Sequence, residues 1–231
     1  MVIIPVIDLY QGQVVHAVRG QRDRYVPVQS QLCQSTDPES ILQAFLDIYS
    51  FETIYIADLD AIGGQEGNNI HINKLQRQFP TLDIWLDQGI SSKEDVIRHQ
   101  HSHRKQVIGS ETGISPDLLT NMQDITPAPI LSLDFKEGHL IGNHTLLKYP
   151  EVWPDNIIIM NLSRVGSGLG PDLELLDQIK SLASDKNFYI AGGIRNQDDL
   201  EQLCAAGIAG VLIATALHTC QITRRDISKF I

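Results

Sequence analysis

Tyr189-Ile190-Ala191-Gly192-Gly193-Ile194-Arg195-Asn196-Gln197-Asp198-Asp199-Leu200 reads as an apolar strand, a glycine corner and the polar start of a helix. Trp85-Leu86-Asp87-Gln88-Gly89-Ile90-Ser91-Ser92-Lys93-Glu94-Asp95-Val96 repeats that grammar just under half a chain earlier. Two further pairs keep nearly the same offset. Tyr55 to Gly63 aligns with Ile158 to Gly166, and Asp8, ending the first strand, has Asp134 as its counterpart. Repetition at this offset points to two similar half-units closing one structure.

Working outward, short runs rich in β-branched residues alternate with helix-length segments, the pattern of a parallel sheet with crossover helices. Strands are predicted near Val2 to Asp8, Thr53 to Leu59, Leu82 to Asp87, Gln106 to Gly109, Ile130 to Asp134, Asn156 to Leu162, Phe188 to Ala191 and Gly210 to Ile213. Helices are predicted over Asp37 to Ile48, Asn68 to Gln78, Ser92 to His99, Pro116 to Met122, Pro171 to Leu182, Gln197 to Ala206 and Arg224 to Phe230. The fifth position, His144 to Pro154, carries two prolines and predicts only a turn or two. Eight strand-helix units in 231 residues predict a single (β/α)8 TIM barrel, residues 1–231, built from two similar half-barrels.

Composition narrows the function classes. The formal charge is −10 and the 18 basic residues form no long run, which argues against nucleic acid or an anionic membrane as partner. The N-terminus enters a strand at once and no apolar stretch spans a bilayer, so a soluble cytoplasmic protein is expected. Cys33, Cys204 and Cys220 lack metal-type spacing and read as reduced structural thiols. Oligomeric state leaves no mark in the sequence.

Right-handed crossovers put every strand's C-terminal end on one rim, where barrels place their chemistry. The rim residues are Asp8, Asp58 with Asp60, Asp87, Ser110, Asp134, Asn161 with Ser163, Gly192 with Gly193, and Ala214 with Thr215. Asp8 and Asp134 fall on opposite strands, where two carboxylates can divide acid and base roles; the bland alternative is that each satisfies local donors. Gly192 and Gly193 open backbone amides to an anion, with Ala214 and Thr215 adding amides and a hydroxyl, and the alternative is a turn that needs glycine for sterics. Arg19, in a polar loop with Arg22, Arg24 and Tyr25, and Gly166, opening a glycine-rich loop, complete the candidate substrate contacts. In the first-half twin, Asp87 and Gln88 replace the glycine start, and Glu111 lies nearby, so a second phosphate site is not expected there. His99, His101 and His103 read as a solvated surface cluster, Trp85 as core, and His16 as either near the site or solvent-facing.

Ile3-Ile4-Pro5-Val6-Ile7-Asp8-Leu9, Gly12 to Val15, Ala57-Asp58-Leu59-Asp60-Ala61, Arg164 to Leu176 and Ala191-Gly192-Gly193-Ile194-Arg195 together resemble the histidine-biosynthesis (β/α)8 barrels over nearly the whole chain. The phosphoribosylformimino-5-aminoimidazole carboxamide ribotide isomerases are the closer branch. The resemblance implies an Amadori rearrangement of a bis-phosphorylated ribotide without metal or organic cofactor, with Asp8 and Asp134 matching the two catalytic aspartates. The chain departs from that pattern on strand six, where Met160-Asn161 stands for Thr-Asp and Arg164-Val165-Gly166 for Arg-Asp-Gly. It departs again after strand three, where Asp87-Gln88-Gly89 and Ser91 stand for a triple-glycine turn and an arginine. The stretch from His16 to Arg22, with Tyr25 and Pro27, is similar to a divergent branch of methanogens and methylotrophs linked to pterin-dependent one-carbon metabolism. The resemblance therefore implies an isomerase or lyase acting on a phosphorylated sugar or nucleotide-like metabolite. Two alternatives stay open: the authentic histidine-pathway isomerase, and a non-catalytic binding or scaffold barrel.

Overall fold

The computed structural model describes residues 1–21, 24–98, 103–125 and 128–230. Eight parallel strands follow one another in chain order: β1 Val2–Tyr10, β2 Thr53–Asp58, β3 Asp83–Asp87, β4 Arg104–Gly109, β5 Ile130–Lys136, β6 Asn156–Asn161, β7 Asn187–Ala191 and β8 Gly210–Ile213. β8 pairs back onto β1 through Gly210↔Val2 to Ile213↔Pro5, closing the single TIM barrel that the alternation predicts.

Alternation of side chains sorts the core into two shells. Ile3, Ile7, Leu9, Ile54, Ile56, Ile84, Leu86, Leu131, Leu133, Ile157, Ile159, Ile190 and Val211 face the helices. Ile4, Val6, Tyr55, Trp85, Val107, Ile130, Ile158 and Leu212 fill the barrel interior, where Trp85 meets Tyr189 edge-on at 4.7 Å between ring centroids. Each fully buried Ile or Leu contributes roughly 1.5–3 kcal/mol. The interior is therefore a packed plug, and space for a ligand opens only above it.

The helices start where their caps dictate. Pro38–Ile48 is capped by Asp37, Leu173–Lys180 by Asp172 and Gln197–Ala205 by Asn196, each accepting a first-turn amide through its side chain. At the fifth position two prolines leave only the 3₁₀ turns His144–Lys148 and Pro150–Val152, as expected. After β1 the chain turns back as the hairpin strand Gln13–His16, which pairs with β1 and with Val26–Pro27. The strand His139–Leu140 and the short helices Leu59–Ile62 and Thr215–His218 carry no sequence period and were not foreseen. Arg22, His99 and His101 lie outside the described residues; His103, exposed, faces Asp83 at 3.3 Å. All three cysteines are free, but Cys204 and Cys220 are exposed, which corrects their reading as structural thiols. No described helix is long and apolar enough to cross a membrane.

Two rim carboxylates turn out to be structural. Asp58 and Asp60 point away from the mouth and are tied down by Asn68, whose Nδ2 donates to Asp58 Oδ1 and Asp60 Oδ2, both at 2.7 Å. Its Oδ1 accepts the Gly12 amide at 2.8 Å, pinning the first hairpin. Asn68→Ala takes one hydrogen bond from each of two buried carboxylates, which keep donors from Gln11, Ala61, Gln88 and the residue 68 amide, so a loss of about 2 kcal/mol is expected, read as a melting temperature lowered by about 4–8 °C. A change under about 2 °C would show that water replaces these bonds freely.

Candidate active site

The inward-facing residues that end the strands form the floor of one cavity of about 830 Å³ at the C-terminal rim. Register sets the floor: Asp8 pairs with Ala57, and Ala57 with Asp87, so the Asp8 and Asp87 side chains point inward from one row. Asp134 enters from β5, where it pairs with Met160. Asp8, Asp134, Gly166, Gly192, Gly193, Ala214 and Thr215 all line this cavity. Arg19 does not: its side chain is exposed outside the lining while its amide donates to the Val165 carbonyl at 3.1 Å. Its backbone is left-handed, with a φ of 50°. Asn161 faces outward from β6 and donates to Asp172 at 2.8 Å, which removes it from the rim set.

The two principal carboxylates sit in different surroundings. Asp134 accepts from Ser132 Oγ at 2.7 Å, Ser110 Oγ at 3.2 Å and the Glu111 amide at 3.3 Å. Burial nevertheless pushes its pKa up to about 7, helped by the nearby Asp87 and Glu111 carboxylates and opposed by the Ser132 bond. Asp8 accepts no hydrogen bond from the described residues, and burial alone raises its pKa to about 7. Both groups therefore change charge near neutral pH, as acid-base catalysts must.

Around the mouth the two sides differ in their free donors. After β7, Gly192 and Gly193 take φ of 101° and 87°, and the Gly193 and Ile194 amides make no hydrogen bond among the described residues. The Thr215 and Ala216 amides across the β8 loop are equally free. After β3, by contrast, the Gly89 amide donates to Asp87 Oδ1 at 3.1 Å, and after β4 the Glu111 amide is spent on Asp134. Gln88 Nε2 turns outward to Asp58 and Asn69. An arrangement of this kind offers an anion four amides on one side and carboxylates on the other.

Sequence reasoning left several lining residues out of the site. Tyr55, whose hydroxyl donates to Asp87 at 3.3 Å, reads as strand core, and Lys136, two residues beyond an inward aspartate, carries no motif. Asp87 is counted among the rim residues in the sequence, but is read there as an obstacle to phosphate rather than as part of the floor. The alternation that puts it in the same row as Asp8 was the signal available.

Comparison with known proteins agrees with this layout. The chain is 34% identical over 223 residues to an uncharacterized protein of Methanocaldococcus jannaschii, covering 94% of this chain and 93% of that one. It is 28% identical over 246 residues to the 1-(5-phosphoribosyl)-5-((5-phosphoribosylamino)methylideneamino) imidazole-4-carboxamide isomerase of Listeria welshimeri, covering 99% and 98%. To the isomerase of the same name from Nautilia profundicola it is 24% identical over 241 residues, covering 99% of each. With residues 2–223 matching the family described as histidine biosynthesis protein, and with a closed eight-stranded parallel barrel, the chain belongs to that family.

Proposed function

We propose that this barrel binds a sugar-like or nucleotide-like metabolite carrying one phosphate and isomerises it by acid-base catalysis without a cofactor. The observation that carries this reading is the contrast in amides. Beside β3 and β4 the Gly89 and Glu111 amides are occupied by Asp87 and Asp134, whereas their counterparts in the second half, the Gly193 and Thr215 amides, are free among the described residues. A second phosphate would have to displace a carboxylate and lie beside Asp87 and Glu111, forfeiting charge-assisted bonds worth about 1.5–3 kcal/mol each.

With phosphate held between the β7 and β8 loops, the substrate's body lies over Asp8 and Asp134. Asp8 takes a proton from a sugar carbon and Asp134 gives one to the opening ring oxygen, an aldose-ketose or Amadori-type exchange in which each group ends with the other's charge. Acid-base assistance of this kind contributes typically 10²–10⁴-fold. A pterin-linked setting in one-carbon metabolism would select the substrate rather than change the chemistry.

Expression in a histidine auxotroph lacking the imidazole-4-carboxamide isomerase tests this reading against the authentic activity. No growth without histidine is expected; growth would replace the mono-phosphate reading. The scaffold alternative is tested in the native host, where Asp8→Asn is expected to reproduce the deletion phenotype. An unaffected strain would favour a non-catalytic barrel.

A further inference from the structure

Asp8 forms part of the wall between two spaces. On one side is the substrate cavity; on the other is a chamber of about 30 Å³ lined by Asp8, Val14, Val15, His16, Ala17, Val28, Ala214, Thr215 and His218 among others. Among the described residues, Asp8 is the only ionisable one that lines both. A space of that size with a carboxylate, a hydroxyl and two imidazoles on its walls has the volume and polarity to hold one or two waters.

The groups on those walls are not equally engaged. His218 faces Ser30 Oγ at 3.0 Å through Nδ1 and tilts against Phe45 at 4.9 Å. Burial, with His16 nearby, pushes its pKa down to about 4, so it is neutral at physiological pH. His16 Nε2 is buried without a protein partner among the described residues. It lies against Gly166, where an added Cβ would come within 3.0 Å of it. Asp8 and His16 thus share a chamber, and neither carboxylate nor Nε2 is satisfied by protein. His16 Nε2, buried in that condition, bonds through water, and the half-buried Asp8 carboxylate on the same wall is a ready partner for that water.

We propose that His16 is a positioning residue for Asp8, acting through water held in this chamber. A water donating one proton to His16 Nε2 and the other to an Asp8 oxygen supports the ionised carboxylate, fixes its orientation toward the cavity and keeps it ready to accept a proton. Asp134 has two serine hydroxyls and an amide for that purpose; Asp8 has the bridge. The inference rests on the acid-base reading of Asp8 but concerns a property of the free protein.

The test is the titration of the Asp8 carboxyl carbon by ¹³C NMR in the full chain, without substrate. From the mouth, Tyr25, Tyr55, Asp87, Glu111, Asp134, Lys136, Arg164 and Arg195 share Asp8's cavity, and only His16 and His218 face it from the chamber. These mouth groups stay constant across the variants. His16→Phe, which removes the acceptor, is expected to raise the Asp8 midpoint by about one pH unit, and His16→Gln, which keeps one, to restore it nearly to wild type. An unchanged midpoint in His16→Phe would overturn the proposal. If that variant fails to fold, a crystal structure of the wild type decides. A water within hydrogen-bond distance of both Asp8 and His16 Nε2 is expected, and a chamber without one overturns the bridge. Neither readout needs substrate, so failure here leaves the isomerase reading to be judged by the auxotroph.

Discussion

Asp8→Asn is expected to make the protein more stable at pH 8 while lowering turnover by 10²-fold or more. The carboxyl titrates near 7 in the folded chain and near 3.8 when ordinary, because burial disfavours its charge. Between those values the folded protein holds a proton that the unfolded chain has released, so stability falls as pH rises from about 4 to about 7 and stays reduced above. The interval corresponds to ~4 kcal/mol at full desolvation. Water entering the open mouth screens the group, and a gain of ~2 kcal/mol is expected for the neutral amide at pH 8, about 4–8 °C in melting temperature. Near pH 4 the gain should vanish. Equal stabilisation at pH 4 and pH 8 would show that the gain has nothing to do with Asp8's charge. The same midpoints predict a bell-shaped rate profile whose limbs both lie near neutrality, belonging to the Asp8 and Asp134 pair rather than to either residue.

Gly193→Ala is expected to be the most damaging single substitution in the mouth. An added Cβ would sit 2.2 Å from the Gly170 carbonyl oxygen, at a φ of 87° that side chains resist. Both partners are backbone, so relief requires moving the β6 or β7 loop. A loss of at least ~3 kcal/mol follows, about 6–12 °C, together with loss of any stabilisation by phosphate. Gly113→Ala and Gly138→Ala are the controls: both have positive φ and open space around the new methyl, so the conformational cost of about 1–2 kcal/mol is all that is expected. Should Gly193→Ala match the controls, the loops are not locked together at this point.

That crowding bears on what the sequence could disclose. Gly192-Gly193 suggested an anion site, yet loop packing alone demands both glycines, since a Cβ on Gly192 would lie 2.6 Å from the Asn161 carbonyl. What points to an anion is the set of free amides, and a sequence does not show which amides are spent. The barrel itself was legible because period-two runs and helical caps are local signals, and strand order follows chain order. Asp8 and Asp134 were legible because they end strands. Asp58 and Asn161 end strands too, but turn outward, and only register separates the two cases. Arg19 has a left-handed backbone and lies outside the cavity lining, neither of which loop composition encodes. His16 was undecided in the sequence because its neighbours, Gly166 and His218, arrive from far along the chain.

The central claim is that only one side of the mouth takes a phosphate. A crystal structure of the full chain grown in inorganic phosphate, with occupancy refined at both turns, tests it most directly. One anion is expected, held by the amides around Gly193 and Thr215, with none near Gly89. Equal occupancy at Gly89 would contradict the account.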